Sequence, residues 1–354
     1  MTQRKSDAYA AAGVDTEQSD AAVAAIVGVL RTIETGAPSR VVDLPGHYAS
    51  VLRVAENLGI AIATDGVGSK IVLAEQTGRL DTVGIDCIAM NVNDLVCVGA
   101  EPIAMVDYLA VEQSDPEATA AIARGLAVGA ADAGIEIPGG ELAVLPELIR
   151  GHPSPGGFDL CGTAIGTVAL DAILTGAAIT AGDALIGVPS SGLHSNGYTL
   201  ARRVLVEDGP GLDARPEELG GASIADALLE PTVIYVRAAL DLLRSGVPVH
   251  GLAHITGGGL KNLLRLGSGI GYAIEDPLPV PAVCRLVGTL GDVPETELWE
   301  VFNMGCGFAA IVPEPHADTT AAILAARHPG ARRIGTVTDS AGVASAPGGI
   351  ALRA

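Results

Sequence analysis

Six acidic or amide side chains interrupt a stretch that otherwise has the composition of a buried core. The stretch is GIDCIAMNVNDLVCVGAEPIAMVDY, residues 84–108. A buried carboxylate is costly unless it is paired with a cation or binds a metal ion. A helix over residues 86–98 would bring to one face Asp86, Met90, Asn93, Asp94 and Cys97. Asp86 suits the N-cap of that helix and Gly99 its C′ position. Asp94 lies between apolar turns, so we expect it to pair with a cation or to ligate one.

Two further acids follow apolar strands and adjoin glycines. Asp65 stands in TDGVGSK directly after IAIAT, and Glu141 stands in PGGE after IEI. Acids at the ends of buried strands lie where ligands usually approach a sheet. Mg²⁺ prefers a few carboxylates together with substrate phosphates and water. Asp65, Asp94 and Glu141 therefore predict a magnesium site, with Lys70 as a phosphate-facing cation; ordinary capping and ion pairs are the alternative for the same residues.

Two glycine loops in the second half of the chain resemble anion-binding loops. In SSGLHSNG and in HITGGG a strand runs into glycines that lead to a predicted helix. Unpaired N–H groups and the helix dipole attract phosphate at such a position. A tight strand-to-helix turn is the alternative for either loop alone. The first loop contains His194, Ser195 and Asn196, and a glycine-flanked histidine there is a candidate general acid or base.

Strand and helix patterns alternate in both halves, which predicts an α+β fold of two mixed α/β domains. In the first half, SDAAVAAIVGVLRTIE predicts a helix capped by Asp20, IAIAT a strand that precedes a glycine loop and a helix, and IEI a strand that ends at a loop. In the second half, DALIGV and VHGLAHIT predict strands, each followed by a glycine loop and a helix. The boundary falls near 170, so we expect domains at 1–169 and 170–354.

The composition restricts the class of protein. A net charge of −20 disfavours a nucleic-acid partner. No apolar run approaches the roughly 20 residues of a membrane helix, and acids interrupt the N-terminus before a signal sequence forms. The five cysteines include no C-x-x-C pair, which argues against a disulfide framework and a zinc site. We therefore expect a cytoplasmic enzyme without a membrane or nucleic-acid partner.

Several familiar motifs are absent from the sequence. Neither GVGSK nor GGGLKN is a phosphate-binding G-x-x-x-x-G-K-[ST] loop. GCGFAA is followed by a strand rather than by a helix, so it does not predict a dinucleotide-binding fold. Ser195 lacks the G-x-S-x-G elbow of many serine hydrolases.

Taken together, these motifs resemble the phosphoribosylformylglycinamidine cyclo-ligase (AIR synthetase) family over nearly the whole chain. Its D-x-x-x-x-G-A-x-P signature is present as Asp94, Gly99, Ala100 and Pro102. The early motifs are shared with a wider ATP-binding superfamily, whereas SSGLHSNGY and AHITGGGL are the discriminating ones. The matching segments are YAAAGVD (9–15), TDGVGSK (64–70), GGE (139–141), SSGLHSNGY (190–198), EPTVIYV (230–236), AHITGGGL (253–260) and FNMGCGF (302–308).

The resemblance implies ATP-dependent closure of formylglycinamidine ribonucleotide to aminoimidazole ribonucleotide, with release of ADP and phosphate. It implies a homodimer joined through its N-terminal sheets, and it makes His194, Lys70 and Asp94 the catalytic candidates. Mg²⁺ would be held by Asp65, Asp94 and Glu141. Residues implied in ATP binding are Asp65, Gly66, Gly68, Lys70, Asn93, Gly99 and Gly140. Residues implied in substrate binding are Ser191, His194, Ser195, Asn196, Thr256, Gly257, Gly258 and Gly259.

The sequence departs from the family pattern in two places. VVDLPGHYASVLRV replaces a longer glycine-rich segment, and Leu142 stands where the family usually has a hydroxyl residue after GGE. Two alternatives stay open from the sequence: another ATP-dependent enzyme of the superfamily, such as a small-molecule kinase, or a catalytically silent nucleotide-binding homologue.

Overall fold

The structure is a computed structural model that describes residues 16–353. The YAAAGVD motif at 9–15 lies outside the described residues. The strands of the first half are β1 (Val41–Val42), β2 (Ser50–Ala55), β3 (Leu58–Gly66), β4 (Glu101–Val111), β5 (Glu136–Val144) and β6 (Phe158–Val168). Its helices are α1 (Thr16–Leu30), α2 (Lys70–Thr77), α3 (Asp81–Cys97) and α4 (Pro116–Ala133), and a 3₁₀ turn follows at Leu170–Ala172.

The first half forms a six-stranded sheet in the order β1-β2-β3-β6-β4-β5. Its pairs are antiparallel except for β4 with β5. Burial alternates residue by residue along β6 because successive side chains point to opposite faces of a sheet. Helix α3 packs on one face of the sheet and against α4. The helices meet at Gly84 and Gly125, where a Cβ on Gly125 would lie 1.7 Å from the Asp81 carbonyl oxygen.

The second half forms a seven-stranded sheet in the order β13-β12-β9-β11-β7-β10-β8. Its strands are β7 (Ala184–Pro189), β8 (Gly251–His254), β9 (Gly271–Ile274), β10 (Cys306–Val312), β11 (Arg332–Thr338), β12 (Val343–Ala346) and β13 (Ile350–Arg353). Its helices are α5 (Tyr198–Arg202), α6 (Ile224–Leu229), α7 (Val236–Arg244), α8 (Ala282–Gly291), α9 (Glu295–Val301) and α10 (Ala317–Ala325). Every residue of β10 is buried, so both faces of this strand are covered.

Mixed sheets with helices in both halves confirm the predicted α+β class. Several element boundaries differ from the prediction. Helix α1 begins at Thr16, so Asp20 is not its N-cap. Strand β5 continues through the PGGE segment to Val144 instead of ending before it. The segment after the second glycine loop, Gly259–Arg265, is a 3₁₀ helix rather than an α-helix.

The apolar stripe of α1 is exposed, unlike the stripes of the other long helices. Side chains of this stripe that are more than one-third exposed are Val23, Ile26, Val27 and Leu30, and the exposed Ile33 lies beyond the end of the helix. None of the helices between residues 16 and 353 combines the length and the apolar character needed to cross a membrane.

Candidate active site

Helix α3 joins the two halves because it packs both on the first sheet and against β8 and α7. It begins at Asp81, five residues before the predicted start, so Asp86 lies inside the helix and the predicted N-cap role is wrong. Gly99 follows the C-cap residue Val98 with φ of 81°, as predicted for C′. A Cβ on Gly99 would lie 3.0 Å from the Ala172 carbonyl oxygen, so this glycine is required for packing and does not face a ligand.

The carboxylate of Asp86 forms a buried ion pair with Lys70. The Lys70 ammonium lies 2.8 Å from Asp86 Oδ2, and both side chains are 0% exposed. Lys70 Nζ also donates to the carbonyl oxygens of His194, at 3.2 Å, and Glu230, at 2.7 Å. Its three N–H groups are therefore all used within the protein. This burial corrects the prediction that Lys70 faces the phosphates of a nucleotide.

Asp94, eight residues further along α3, has a different partner. The Asp94 Oδ1 atom lies 2.8 Å from Nδ1 of His254, the last residue of β8. Asn93 Oδ1 accepts from the Tyr235 N–H, which orients the amide so that Nδ2 faces the Val233 carbonyl and His254 Nε2. Nε2 is then the acceptor and Nδ1 carries the proton donated to Asp94. Asn93 is thus engaged within the protein, which does not fit its predicted contact with ATP.

Asp65 and Asp94 lie close enough to interact electrostatically. Burial raises the pKa of Asp65, and the Asp94 charge raises it further. The Gly66 N–H donates to Asp65 Oδ1, and Asn91 Nδ2 donates to the Asp65 carbonyl oxygen, so the end of β3 is fixed against α3. The Asp94 side chain is 21% exposed, in contrast to the fully buried Asp86. The two acids therefore form a pair that a ligand can reach.

Glu141 does not join these two acids within one chain. In the sheet, Asp65 is level with Gly162, Asp107 and Gly140, whereas Glu141 belongs to the next row, opposite Tyr108. Adjacent residues of a strand point to opposite faces. Asp65 thus shares the helix-covered face, and Glu141 points to the open one. The predicted grouping of Asp65, Asp94 and Glu141 is corrected on this point.

The loop glycines differ in what they do. Gly68 has φ of 74° in the turn from β3 to α2, a conformation that favours glycine. A Cβ on Gly140 would lie 2.4 Å from Asp107 Oδ1, so Gly140 makes room for that carboxylate instead of facing open space. The unusual Leu142 pairs with Leu109 and therefore points away from the Glu141 carboxylate.

His194 occupies a strained and enclosed position in the first glycine loop. Its φ is 62°, which is uncommon for any residue other than glycine. The ring Nε2 accepts from the Ser191 N–H, while buried Nδ1 has no partner among the described residues. Burial lowers the pKa of His194 well below its usual value, and His254 and Lys70 lower it further. The ring is therefore neutral, with an unpaired Nδ1–H donor.

The two glycine loops meet each other at this point. A Cβ on Gly257 would lie 3.0 Å from Asn196 Oδ1, and the Asn196 Nδ2 atom has no partner within the described part of the chain. Ser191 donates to the Pro231 carbonyl, and Ser195 Oγ lies 3.1 Å from Thr232 Oγ1. The structure thus brings the predicted residues of both loops together, and it leaves buried donors on His194 and Asn196 without a partner among the described residues.

Loop Thr256–Gly259 is fixed by residues of both halves. Asn262 Oδ1 accepts from the backbone N–H of Thr256, and the Tyr48 hydroxyl donates to the Asn262 carbonyl. A Cβ on Gly259 would lie 2.1 Å from the Trp299 carbonyl oxygen, and its φ is 52°, so only glycine fits. Gly257 is exposed, as a residue in contact with a ligand should be.

Sequence reasoning missed several residues that build the site: Asp86 as an ion-pair partner, Thr232, His254, Asn262 and Asn303. His254 lies near the end of the predicted strand VHGLAHIT and just before a glycine loop, a position similar to those that selected Asp65 and Glu141. Asn303 Oδ1 accepts from Ser190 Oγ and its Nδ2 donates to the Gly192 carbonyl, so FNMGCGF supports the first loop. That role had no sequence signal because the two segments are more than a hundred residues apart.

The acid pair fits one kind of metal ion. Over the described range 16–353, no three His, Cys, Asp or Glu side chains are grouped to hold a metal ion. Asp65 and Asp94 alone suit Mg²⁺, which takes one or two carboxylates and completes its coordination with substrate phosphates and water. They do not suit an ion that is enclosed by protein ligands alone.

Comparison with protein families identifies the class to which this fold and site belong. Residues 46–168 match the family model described as AIR synthase related protein, N-terminal domain, and residues 180–346 match the corresponding C-terminal domain. The chain therefore belongs to the AIR synthase related family.

Curated relatives narrow this class and confirm the resemblance seen in the sequence. The chain is 50% identical over 319 residues to the phosphoribosylformylglycinamidine cyclo-ligase of Thermococcus gammatolerans, covering 89% of this chain and 91% of the relative. It is 48% identical over 341 residues to the cyclo-ligase of Thermococcus kodakarensis, covering 95% and 96%. It is 47% identical over 336 residues to that of Methanothermobacter thermautotrophicus, covering 94% of each.

Solved structures share the fold at much lower identity. Thiamine monophosphate kinase from Aquifex aeolicus has a TM-score of 0.62 at 13% identity and covers 94% of this chain and 97% of its own. A HypE–HypF complex gives 0.61 at 19% identity, covering 87% and 92%. At these identities the likeness concerns the fold alone.

Proposed function

We propose that this chain catalyses the ATP-dependent cyclisation of formylglycinamidine ribonucleotide to aminoimidazole ribonucleotide, with release of ADP and phosphate, a step of purine biosynthesis. The observation that carries the proposal is the 50% identity over 319 residues to a named cyclo-ligase. The site supports it, because accessible acids and unpaired donors lie where two glycine loops meet. The kinase alternative is not favoured, since the curated relatives described above are all named as cyclo-ligases.

The chemistry requires an amide oxygen to be turned into a leaving group. The formyl oxygen takes the γ-phosphoryl group of ATP, and the bond between that phosphorus and ADP breaks. The amidine nitrogen then attacks the same carbon, the carbon–oxygen bond breaks, phosphate leaves, and loss of a proton completes the imidazole. Most of the protein's contribution to phosphoryl transfer is positioning and charge stabilisation.

Asp65 and Asp94 are the residues that would hold Mg²⁺ with the nucleotide, and His254 orients Asp94 by hydrogen bonding. When bound, Mg²⁺ neutralises charge on the phosphate oxygens. The first half of the chain, expected at residues 1–169, would thus bind ATP. Glu141 points to the open face of the first sheet, so it has no part in this site within one chain.

His194 would donate its free Nδ1–H to the reacting oxygen or to the phosphoryl group that is transferred to it. A neutral imidazole that is already fixed by the Ser191 N–H can act this way without reorganisation. Ser195 and Asn196 lie beside it in the loop. Thr256 and the adjoining glycines 257–259 would line the site of the substrate phosphate. The N–H groups of Gly257 and Gly258 would be the donors there, because the Thr256 N–H donates to Asn262 Oδ1 and the Gly259 N–H to the Thr256 carbonyl.

We further propose that the chain is a homodimer joined through the open face of its first sheet. That face carries exposed or half-buried apolar side chains on neighbouring strands: Ile60, Ile62, Ile165, Val106 and Tyr108. Uncovered apolar sheet faces mark association surfaces. Sedimentation should give a dimer for the wild-type chain and a monomer for Val106→Lys, and a monomeric wild type would refute this arrangement.

The direct test is incubation of the purified chain with formylglycinamidine ribonucleotide and MgATP. The product should give the colour of a diazotisable aminoimidazole, in equal amounts with phosphate. Phosphate release with a phosphorylated but uncyclised product would instead indicate a kinase, and nucleotide binding without turnover would indicate a silent homologue.

A further inference from the structure

We propose that the Lys70–Asp86 ion pair and Thr232 position the His194 loop for the reaction, so that Asp86 and Thr232 are positioning residues. The inference rests on the proposed function for its kinetic test, but it rests on geometry for its structural one. Lys70 and Asp86 belong to the first half of the chain. Within residues 16–353, every other hydrogen bond of their side chains is made with the second half.

The ammonium group holds two segments of the second half at once. Lys70 Nζ donates to the carbonyl of His194 in the first glycine loop and to the carbonyl of Glu230 in the segment before α7. His194 has the left-handed φ of 62°, a conformation that persists only where the surroundings fix it. A charged donor on its own carbonyl oxygen supplies such a restraint. The pair thereby orients the imidazole that would face the substrate.

The carboxylate holds the neighbouring serine through Thr232. Asp86 Oδ1 accepts from the Thr232 N–H at 2.7 Å and from its hydroxyl at 2.6 Å. Because that hydroxyl gives its proton to Asp86, it must accept from Ser195 Oγ, 3.1 Å away. The direction of the Ser195 hydroxyl is thus set by a carboxylate two hydrogen bonds away. Both lone pairs of the Ser195 oxygen remain available to a ligand.

Stability alone does not account for a pair of this kind. Burying two charges costs desolvation free energy, and well-packed apolar replacements of a buried pair are often as stable or more stable. The geometry supplies another reason. Lys70 binds the His194 carbonyl directly, and Asp86 reaches Ser195 of the same loop through Thr232. A purely structural pair would be replaceable without loss of turnover, and a positioning pair would not.

The first experiment removes only the hydroxyl that links Asp86 to Ser195. Thr232→Val should remain folded and keep its KM for ATP, while kcat falls about tenfold, the effect of one lost hydrogen bond in the transition state. Thr232→Ser should restore kcat because it restores the hydroxyl. The control is Thr320→Val in α10, whose buried hydroxyl has no partner in the described structure and which should keep full activity. Unchanged kcat in Thr232→Val would overturn the proposal.

A second experiment tests the ion pair without relying on turnover. The double variant Lys70→Met/Asp86→Leu avoids an unpaired buried charge, so we expect it to fold. In protein labelled with ¹⁵N-histidine, the wild-type His194 ring should show a neutral Nδ1–H form with an accepting Nε2. The double variant should lose that signature and kcat together. Retention of both would overturn the proposal, and if the variant does not fold, Thr232→Val decides.

The two kinds of failure are distinguishable. An inactive wild-type chain would refute the proposed function, while the histidine spectra would still report whether Lys70 and Asp86 fix the His194 ring. An active wild type whose Thr232→Val variant is equally active refutes the positioning role alone.

Discussion

Asp86 and Asp94 are the same residue type on the same face of helix α3, yet they have opposite roles. Asp86 is 0% exposed and meets a lysine that is itself fully buried, whereas Asp94 is 21% exposed and meets His254. The first carboxylate has every oxygen engaged by the protein. The second has access to solvent and a neighbouring acid, Asp65. Solvent exposure and the identity of the neighbouring side chain therefore decide which of these acids can bind a ligand, more than position in a motif does.

The largest expected effect on turnover comes from neutralising Asp94, the accessible acid. Asp94→Asn should lower turnover about a thousandfold, because it removes a carboxylate that would hold the Mg²⁺ ion against the phosphate oxygens. The free energy of unfolding should change by less than about 1 kcal/mol, since the side chain is partly exposed. Steady-state kinetics measures the turnover, and urea unfolding measures the free energy of unfolding. Asp318→Asn, an exposed acid in the first turn of α10, is the control and should be fully active. Normal turnover in Asp94→Asn would remove Asp94 from the site.

Neutralising Asp86, the buried acid, should mainly lower the free energy of unfolding. Asp86→Asn leaves the Lys70 ammonium buried without a counter-charge, so the free energy of unfolding should fall by about 3 kcal/mol. Urea unfolding at pH 7 measures it. A loss no larger than that of Asp94→Asn would show that the two acids do not differ as described.

Replacing His194 should lower kcat without weakening the binding of ATP. His194→Ala removes the free Nδ1–H donor, and kcat should fall about a hundredfold. The KM for ATP should stay within about threefold of wild type, because nucleotide binding is assigned to the Asp65–Asp94 side. Steady-state kinetics with each substrate varied in turn gives both constants. If KM alone changed, His194 would be a binding residue.

The smallest expected effect concerns pH. Burial lowers the pKa of His47 from 6.5 to about 4, against the opposing effects of the Leu174 carbonyl and Asp94. Between these values the unfolded chain binds a proton that the folded chain does not. Folding stability therefore falls as pH drops from 6.5, by up to about 1.4 kcal/mol per pH unit for this group. His47→Gln should flatten the dependence of unfolding free energy on pH between 6.5 and 5. An unchanged slope would contradict the buried, neutral state of His47.

The sequence predicted the parts of this site that depend on local patterns. The strand, glycine loop and helix around TDGVGSK, the C′ position of Gly99 and the first loop with His194 all follow from residues within a few positions of one another. The α+β class follows from the same patterns.

What the sequence could not predict depends on distant residues. The partners of Lys70 lie 124 and 160 positions away, so its burial had no local signal. Glu141 was misplaced because a strand that was expected to end before PGGE continues through it, and the alternation of a strand then decides which face each side chain takes.

The central claim is that Asp94 holds the metal ion of the bound nucleotide. The most direct measurement is titration of Mn²⁺ and ATP into the protein, with free Mn²⁺ followed by electron paramagnetic resonance. The account predicts that wild type and Thr320→Val deplete the free Mn²⁺ signal equally, while Asp94→Asn binds at least about tenfold more weakly, a difference of about 1.4 kcal/mol. Equal depletion by Asp94→Asn and wild type would contradict it.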